Sequence, residues 1–211
     1  MPDLQELLLL APPILVALTL HEFSHAYVAN RLGDPTARLS GRLTLNPIAH
    51  LDPLGTILLF VVNFGWAKPV PVDPRNFANP KRDMLLVALA GPVSNILIAL
   101  FSGLILRLVD AEVLPLMDGA SYGTLMVRYS LFINLVLAFF NLIPIPPLDG
   151  SKILAGLLPD SALVHYARFQ HLGPFVLLGL IVLGRLSGVS VFWIWIGPLV
   201  ELFSKAFAGE F

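Results

Sequence analysis

The chain has 211 residues, of which 56% are hydrophobic and 13% charged, about half the charged fraction of a soluble domain. With a mean hydropathy of +0.81, it reads as an integral protein of a lipid bilayer, and a net charge of −1 argues against a nucleic-acid partner. The absence of cysteine excludes disulfides and thiolate metal sites.

The first apolar run, Leu4 to Arg31, exceeds the roughly 20 residues a bilayer requires, leaving some excess for tilt. Asp3 and Glu6 occupy the place of a basic n-region, so it is not read as a cleaved signal peptide. Pro12 and Pro13 predict a kink in its first half, tolerable where neighbouring helices satisfy the freed backbone. Gly33-Asp34-Pro35 ends the helix. Between Arg38 and Asn46 polar and apolar residues alternate, which predicts a short strand or hairpin. Pro47 to Pro53 is a turn-rich connector carrying His50 and Asp52. Leu54 to Phe64 is apolar but too short for a span, and suits a re-entrant or interfacial segment. Trp66 and Lys68 stand like an interfacial anchor. Lys68-Pro69-Val70-Pro71-Val72 is predicted to be extended, because each proline biases the residue before it toward β.

Met84 to Leu108 is the next full span. It contains Gly91-Pro92-Val93-Ser94-Asn95, small residues and a proline that allow close helix approach. Tyr122 to Ile143 is another span, carrying Asn141 near its end. No helix continues through Pro144-Ile145-Pro146-Pro147, which is followed by Leu148-Asp149-Gly150. Ser151 to Leu158 reads as a short helix and Asp160 to His171 as a polar surface segment. Pro174 to Leu186, which is short, and Val189 to Phe207 are two further apolar segments. The predicted fold is an all-α polytopic membrane protein of about five to six transmembrane helices. A short membrane-associated β region or re-entrant segment lies between the first two.

Lysine and arginine placement sets the orientation. With the N-terminus outside, Arg31, Arg38, Arg42, Lys68, Arg75, Lys81, Arg82, Lys152, Arg168 and Lys205 fall inside. Arg107, Arg128 and Arg185 fall outside, a ten-to-three split of the 13 basic residues. The termini are then expected on opposite sides.

The chemistry is concentrated in His21-Glu22-Phe23-Ser24-His25, in the last third of the first helix. Residues four apart on a helix share a side, so His21 and His25 can offer two imidazoles to one metal ion. Glu22 is one residue around, placed to take a proton from water activated there. This is the two-His, one-Glu helix of zinc peptidases. Such polar groups are costly in a membrane-grade helix unless they face an interior or a cavity. The bland alternative is that they pair with other helices. A third protein ligand is needed. His50, His165 and His171 all fall in connectors. Asp149, locked beside prolines at the cytoplasmic depth of the histidines, is a better candidate, although an Asp before Gly150-Ser151 is equally readable as a helix cap.

Taken together, the histidine-glutamate motif, Gly91-Pro92-Val93-Ser94-Asn95 and Asn141-Leu142-Ile143-Pro144-Ile145-Pro146-Pro147-Leu148-Asp149-Gly150 resemble the site-2 protease family of intramembrane zinc metalloproteases. The three come in the family's order over most of residues 4 to 158. The resemblance implies one Zn2+ per chain held by His21, His25 and Asp149, with Glu22 catalytic. It implies that Asn95 and Asn141 lie near the scissile peptide of a transmembrane protein substrate. The Arg38 to Pro71 stretch looks like the family's substrate-contacting β region. Many relatives carry a PDZ or CBS domain, for which 211 residues leave no room. Residues 1–211 are therefore expected to form a single minimal domain, with a 4–158 catalytic core and C-terminal helices over 159–211. Regulation would come from a separate membrane protein. The expected location is a prokaryotic cell membrane, with the active site toward the cytoplasm.

A substrate helix satisfies its own backbone and must unwind before attack. A strand edge in the enzyme could then capture it by β-addition. Asn95 or Asn141 could stabilise the oxyanion, or each could serve only as a helix–helix hydrogen bond. His50 reads first as a turn residue and second as a substrate or water gate. Two other classes compete. A membrane metal transporter predicts polar residues along both halves of a path and inverted repeats, whereas here they gather at one depth. A silent relative that only binds membrane helices would not need Glu22 beside two intact histidines.

Overall fold

The computed structural model of the protein describes residues 4–62, 65–114, 121–188 and 190–209. In chain order the helices are α1 (Leu4–Arg31), α2 (Thr36–Leu39), α3 (Pro53–Val62), α4 (Pro80–Asp110), α5 (Tyr122–Asn141), α6 (Asp149–Leu157), α7 (Asp160–Gln170), α8 (Gly173–Ser187) and α9 (Val191–Ala208). Among the described residues, four helices are long and apolar enough to cross a membrane: α1 from Leu8 onward, α4, α5 and α9. The chain is thus an all-α, multi-pass membrane protein. α1 runs as helix through both Pro12 and Pro13. α4 starts at a double cap: Asn79 accepts from the Arg82 N–H while its own N–H donates to Asp83, with Pro80 in the first turn, where no donor is missed.

α4 is the central helix, packed against α1, α5, α6 and α9. Its Ala99 and Leu106 meet Leu131, Leu135 and Phe139 of α5 and Ile196, Val200 and Ala208 of α9. α9 therefore belongs to the main core. Large apolar side chains such as Leu97, Phe101, Phe132 and Trp195 face outward, as lipid-facing surfaces do, since lipid tails are as apolar as leucine.

The direction of α9 corrects the expected topology. Arg107, near the end of α4, donates to the carbonyls of Ala206 (2.8 Å) and Phe207 (2.7 Å) at the end of α9. Phe192, at the start of α9, packs on Phe140 at the end of α5. α9 thus runs parallel to α4 and antiparallel to α5. α1 is antiparallel to α4, because Ala29 packs with Val87 and the Ala17 carbonyl accepts from Asn95. Four alternating crossings bring both termini to one face, not to opposite faces.

The helix that falls short of a crossing is α8. At its start, Gly173 lies so close to Pro146 that a Cβ would come within 2.5 Å of the proline Cβ, and its end is three residues from α9. Both of its ends are at the level of the α5 C-terminus, so its roughly 22 Å lie along the bundle end. Moving Arg185 to the inner side and Lys205 to the outer keeps the ten-to-three charge split.

Between α1 and α4 no β-strand occurs among the described residues, and the predicted strand over Arg38 to Asn46 is not formed. Its start is the helical turn α2. Its donors bond locally, Gly41 to Arg38 (3.1 Å), Arg42 to Ala37 (2.8 Å) and Asn46 to the Thr44 hydroxyl (3.2 Å). The alternation misleads because its sides are reversed: Arg42 is buried whereas Leu39 and Leu45 are exposed. What pairing exists is one antiparallel bridge, Leu51 to Ala67, reinforced by Lys68 N–H donating to the His50 carbonyl (2.9 Å). These contacts close the base of the α3 excursion, so the chain leaves and returns at one point. Residues 63–64 of the predicted re-entrant segment lie outside the described residues.

Asp34 ties this region together. Fully buried, it accepts from the Thr36 N–H (3.1 Å) and hydroxyl (2.5 Å), the Asp73 N–H (2.8 Å) and the Asn76 amide (2.7 Å). Burial pushes its carboxyl upward, but hydrogen bonds from Thr36, Asp73 and Asn76 outweigh that and hold it below the ordinary aspartate value. Half-buried Asp73 is lowered to about 2, chiefly by the hydrogen bonds from Arg75.

Candidate metal centre

The packing of α1 on α4 brings His21 and His25 against the α4 backbone, and the prolyl loop after α5 brings Asp149 to the same point. His25 Nε2 is 3.0 Å from His21 Nε2 and 3.1 Å from Asp149 Oδ2, and His21 Nε2 is 3.2 Å from the same oxygen. All three residues are buried. Ligand atoms held about 2.0–2.1 Å from a tetrahedral zinc are separated from each other by about 3.3 Å, close to this triangle.

The protonation pattern supplies the test of fit. His25 Nδ1 is 2.7 Å from the carbonyl oxygen of Val87, which can only accept. The Nδ1 must then carry a proton, leaving Nε2 of the neutral ring a bare lone pair. His21 Nδ1 is 2.6 Å from Asn95 Oδ1, with the same consequence. With both rings neutral, two lone pairs and a carboxylate oxygen point at one another with no proton between them, an arrangement that a cation relieves. Fixing the ligand tautomer through the other ring nitrogen is the usual means of orienting metal-binding histidines.

The local sequence explains the closeness. A Cβ at Gly91 would collide with His25 Nε2 and lie 2.6 Å from His21 Nε2 and Cε1, so only glycine lets α4 run beneath the rings. Asp149 is the first residue of α6 and caps nothing; its cap position is Leu148, without a side-chain hydrogen bond. A Cβ at Gly150 would strike the Leu142 carbonyl, so glycine lets α6 fold back against the end of α5. Lys152 Nζ lies 3.6 Å from Asp149 Oδ1, leaving Oδ2 to the histidines.

Glu22 is buried beside the triangle, and its Oε2 accepts from the Val70 N–H (3.0 Å). The Lys68 and Pro69 carbonyls accept from buried Arg42 (2.5 and 3.1 Å), which locks this stretch across the site.

The remaining candidates are occupied otherwise. Asn95 is fully buried; its amide nitrogen donates to Asn134 Oδ1 (2.8 Å) and the Ala17 carbonyl (3.3 Å), and its oxygen faces His21. Asn141 donates to the Leu137 carbonyl (3.0 Å) in its own helix. Buried His50 lies apart from the triangle, Nε2 donating to the Thr44 carbonyl (2.8 Å) and Nδ1 accepting from Arg42 (3.4 Å). Sequence reasoning missed Asn134, Arg42 and the Val70 N–H. Asn134 was findable, since an amide in mid-span is costly unless paired.

Fold and site together define a multi-pass membrane protein with a buried two-histidine, one-aspartate cluster next to a glutamate. The model of peptidase family M50 matches residues 120–184. The chain is 42% identical over 200 residues to the "Putative zinc metalloprotease YwhC" of Bacillus subtilis, covering 92% of this chain and 90% of that one. It is 33% identical over 144 residues to the "Putative zinc metalloprotease Rip2" of Mycobacterium tuberculosis, covering 66% of this chain and 53% of that one. It is 26% identical over 147 residues to the "Zinc metalloprotease MJ0392" of Methanocaldococcus jannaschii, covering 69% of this chain and 33% of that one. It thus spans about half of Rip2 and a third of MJ0392. No solved structure matches the chain. The protein belongs to peptidase family M50, the site-2 protease family.

Proposed function

We propose that the protein is a zinc-dependent intramembrane endopeptidase that hydrolyses peptide bonds in or near transmembrane segments of other membrane proteins. The observation that carries the reading is the convergence of two imidazole lone pairs and a carboxylate oxygen within 3.2 Å of one another. His21, His25 and Asp149 hold one zinc ion per chain, a nitrogen and oxygen donor set that suits this metal. Bound there, zinc supplies Lewis acidity, acidifying water and polarising a carbonyl.

Glu22 serves as the general base. Its carboxylate takes a proton from the attacking water as the new C–O bond forms, and returns it to the amide nitrogen as the C–N bond breaks. The Val70 N–H holds one of its oxygens and leaves the other for the water. Asn95 has no hydrogen-bonding capacity left for an oxyanion. Asn141 takes that role: one amide hydrogen remains, and the residue after it, Leu142, lies against Gly150 beside Asp149. With both ring nitrogens engaged, His50 braces the loop and is not a gate.

Residues 1–211 act as one domain, and the 66–72 stretch lines the approach of an unwound substrate. Prolines at 69 and 71 remove two donors from it, Lys68's is taken by the His50 carbonyl and Val70's by Glu22, so a substrate strand meets few donors there. The basic residues at the metal-site end of the bundle favour a cytoplasmic active site, and the bacterial and archaeal relatives favour a prokaryotic cell membrane.

The test is cleavage of a model transmembrane peptide by purified protein, zinc-loaded against chelated. About one zinc per chain, and cleavage lost on chelation and restored by zinc, is the expected result. Cleavage persisting without metal would refute the proposal.

A further inference from the structure

We propose that Asn134 is a positioning residue that acts through Asn95 to fix the tautomer of His21, and so its capacity to bind metal; this rests on the function proposed above. Asn134 is fully buried in the middle of α5. Its amide nitrogen donates to the Ser130 carbonyl at 2.8 Å. A carbonyl cannot donate, so the Asn134 amide has only one orientation, with Oδ1 as acceptor. Oδ1 lies 2.8 Å from the Asn95 amide nitrogen. That sets the second amide in turn, with Asn95 Oδ1 toward His21 Nδ1 at 2.6 Å. His21 is left with a proton on Nδ1 and a bare lone pair on Nε2. The direction of the relay is set chiefly by the Ser130 carbonyl of α5, the helix that supplies no metal ligand, with the longer bond from Asn95 to the Ala17 carbonyl acting in the same sense.

Without Asn134, only the 3.3 Å bond to the Ala17 carbonyl opposes a flip of the Asn95 amide. A flipped Asn95 offers N–H to His21 Nδ1 and drives the proton onto Nε2, where it blocks ligation. Asn134→Leu keeps the approximate volume and removes both polar groups. Asn134→Asp keeps an acceptor oxygen toward Asn95. Ser130→Ala leaves the anchoring carbonyl in place.

The experiment titrates cobalt into the metal-free full-length protein in detergent, following the d–d absorption, and records histidine ¹⁵N spectra of the same metal-free samples. Outer-shell partners of metal ligands are worth about 10- to 100-fold in affinity. Asn134→Leu is expected to weaken cobalt binding by that factor, alter the absorption envelope and shift one histidine from the Nδ1–H toward the Nε2–H form. Asn134→Asp is expected to restore most of the affinity, and Ser130→Ala to match wild type. If Asn134→Leu does not fold, Asn134→Ala, which adds no bulk, carries the same expectation. Wild-type affinity and an unchanged tautomer in the apolar variant would overturn the role of Asn134. A wild-type protein that binds no cobalt would instead overturn the metal site itself.

Discussion

Gly91 shows how one absent side chain shapes the centre. Alanine is the better helix former by about 1 kcal/mol, so Gly91→Ala would favour α4 if helix propensity alone decided. The added methyl would instead meet the His21 and His25 rings at distances no real Cβ adopts, and the rings would have to turn. Zinc affinity should fall on the order of tenfold or more, with little change in melting temperature; metal analysis beside thermal unfolding separates the two. Asp149→Ala should also lose most of the zinc, since two imidazoles alone are an incomplete set. At this scale the pairing of His21 with His25 was legible, because i and i+4 spacing on a helix is a geometric fact, whereas Asp149, equally readable as a helix cap, entered as a ligand only through the family resemblance. The tautomers were not. They depend on Val87, Asn95 and Asn134, which reach the site only through packing of α1, α4 and α5.

The segment from Pro69 to Val72 acts as an element through its backbone. Pro71 already confines Val70 to an extended conformation, so Val70→Pro keeps the path of the chain and deletes one N–H. Hydrogen bonds to charged groups contribute about 1.5–3 kcal/mol. Loss of the Glu22 contact should slow cleavage by roughly ten- to a hundredfold with zinc unchanged, while Val70→Ala stays near wild type. Cleavage assays with zinc analysis decide. The Asp34 clamp gives this region a pH response. Its folded pKa lies below the unfolded value near 3.9. The stabilisation is therefore full above about pH 4 and is lost as pH falls through the lowered folded value. Thermal unfolding in detergent should show Asp34→Asn less stable than wild type at pH 7, with the gap closing under acid. The extended character of 68–72 was legible from its prolines. The false strand at 38–46 was not, because a loop that buries an arginine inverts the alternation on which a strand is recognised.

For the whole molecule, the four-helix topology puts both chain ends on the face away from the metal centre. A chain without cysteine allows a clean test: single cysteines at Gln5 and Gly209 should label from the same side with an impermeant thiol reagent, and one at Arg75 from the other. Labelling of Gln5 and Gly209 from opposite sides would contradict the direction of α9. The four crossings were legible as long apolar runs, but α8 reads as a fifth, since apolar composition alone does not show that both ends of a helix lie at one level. The central claim is that this bundle holds a peptidase site, and Glu22→Gln tests it most directly. Glutamine keeps the shape and an acceptor for the Val70 N–H but cannot take a proton. Zinc content and folding should be those of wild type, and cleavage of a transmembrane substrate should fall by about 100- to 10,000-fold. Cleavage by the zinc-loaded variant at the wild-type rate would contradict the account.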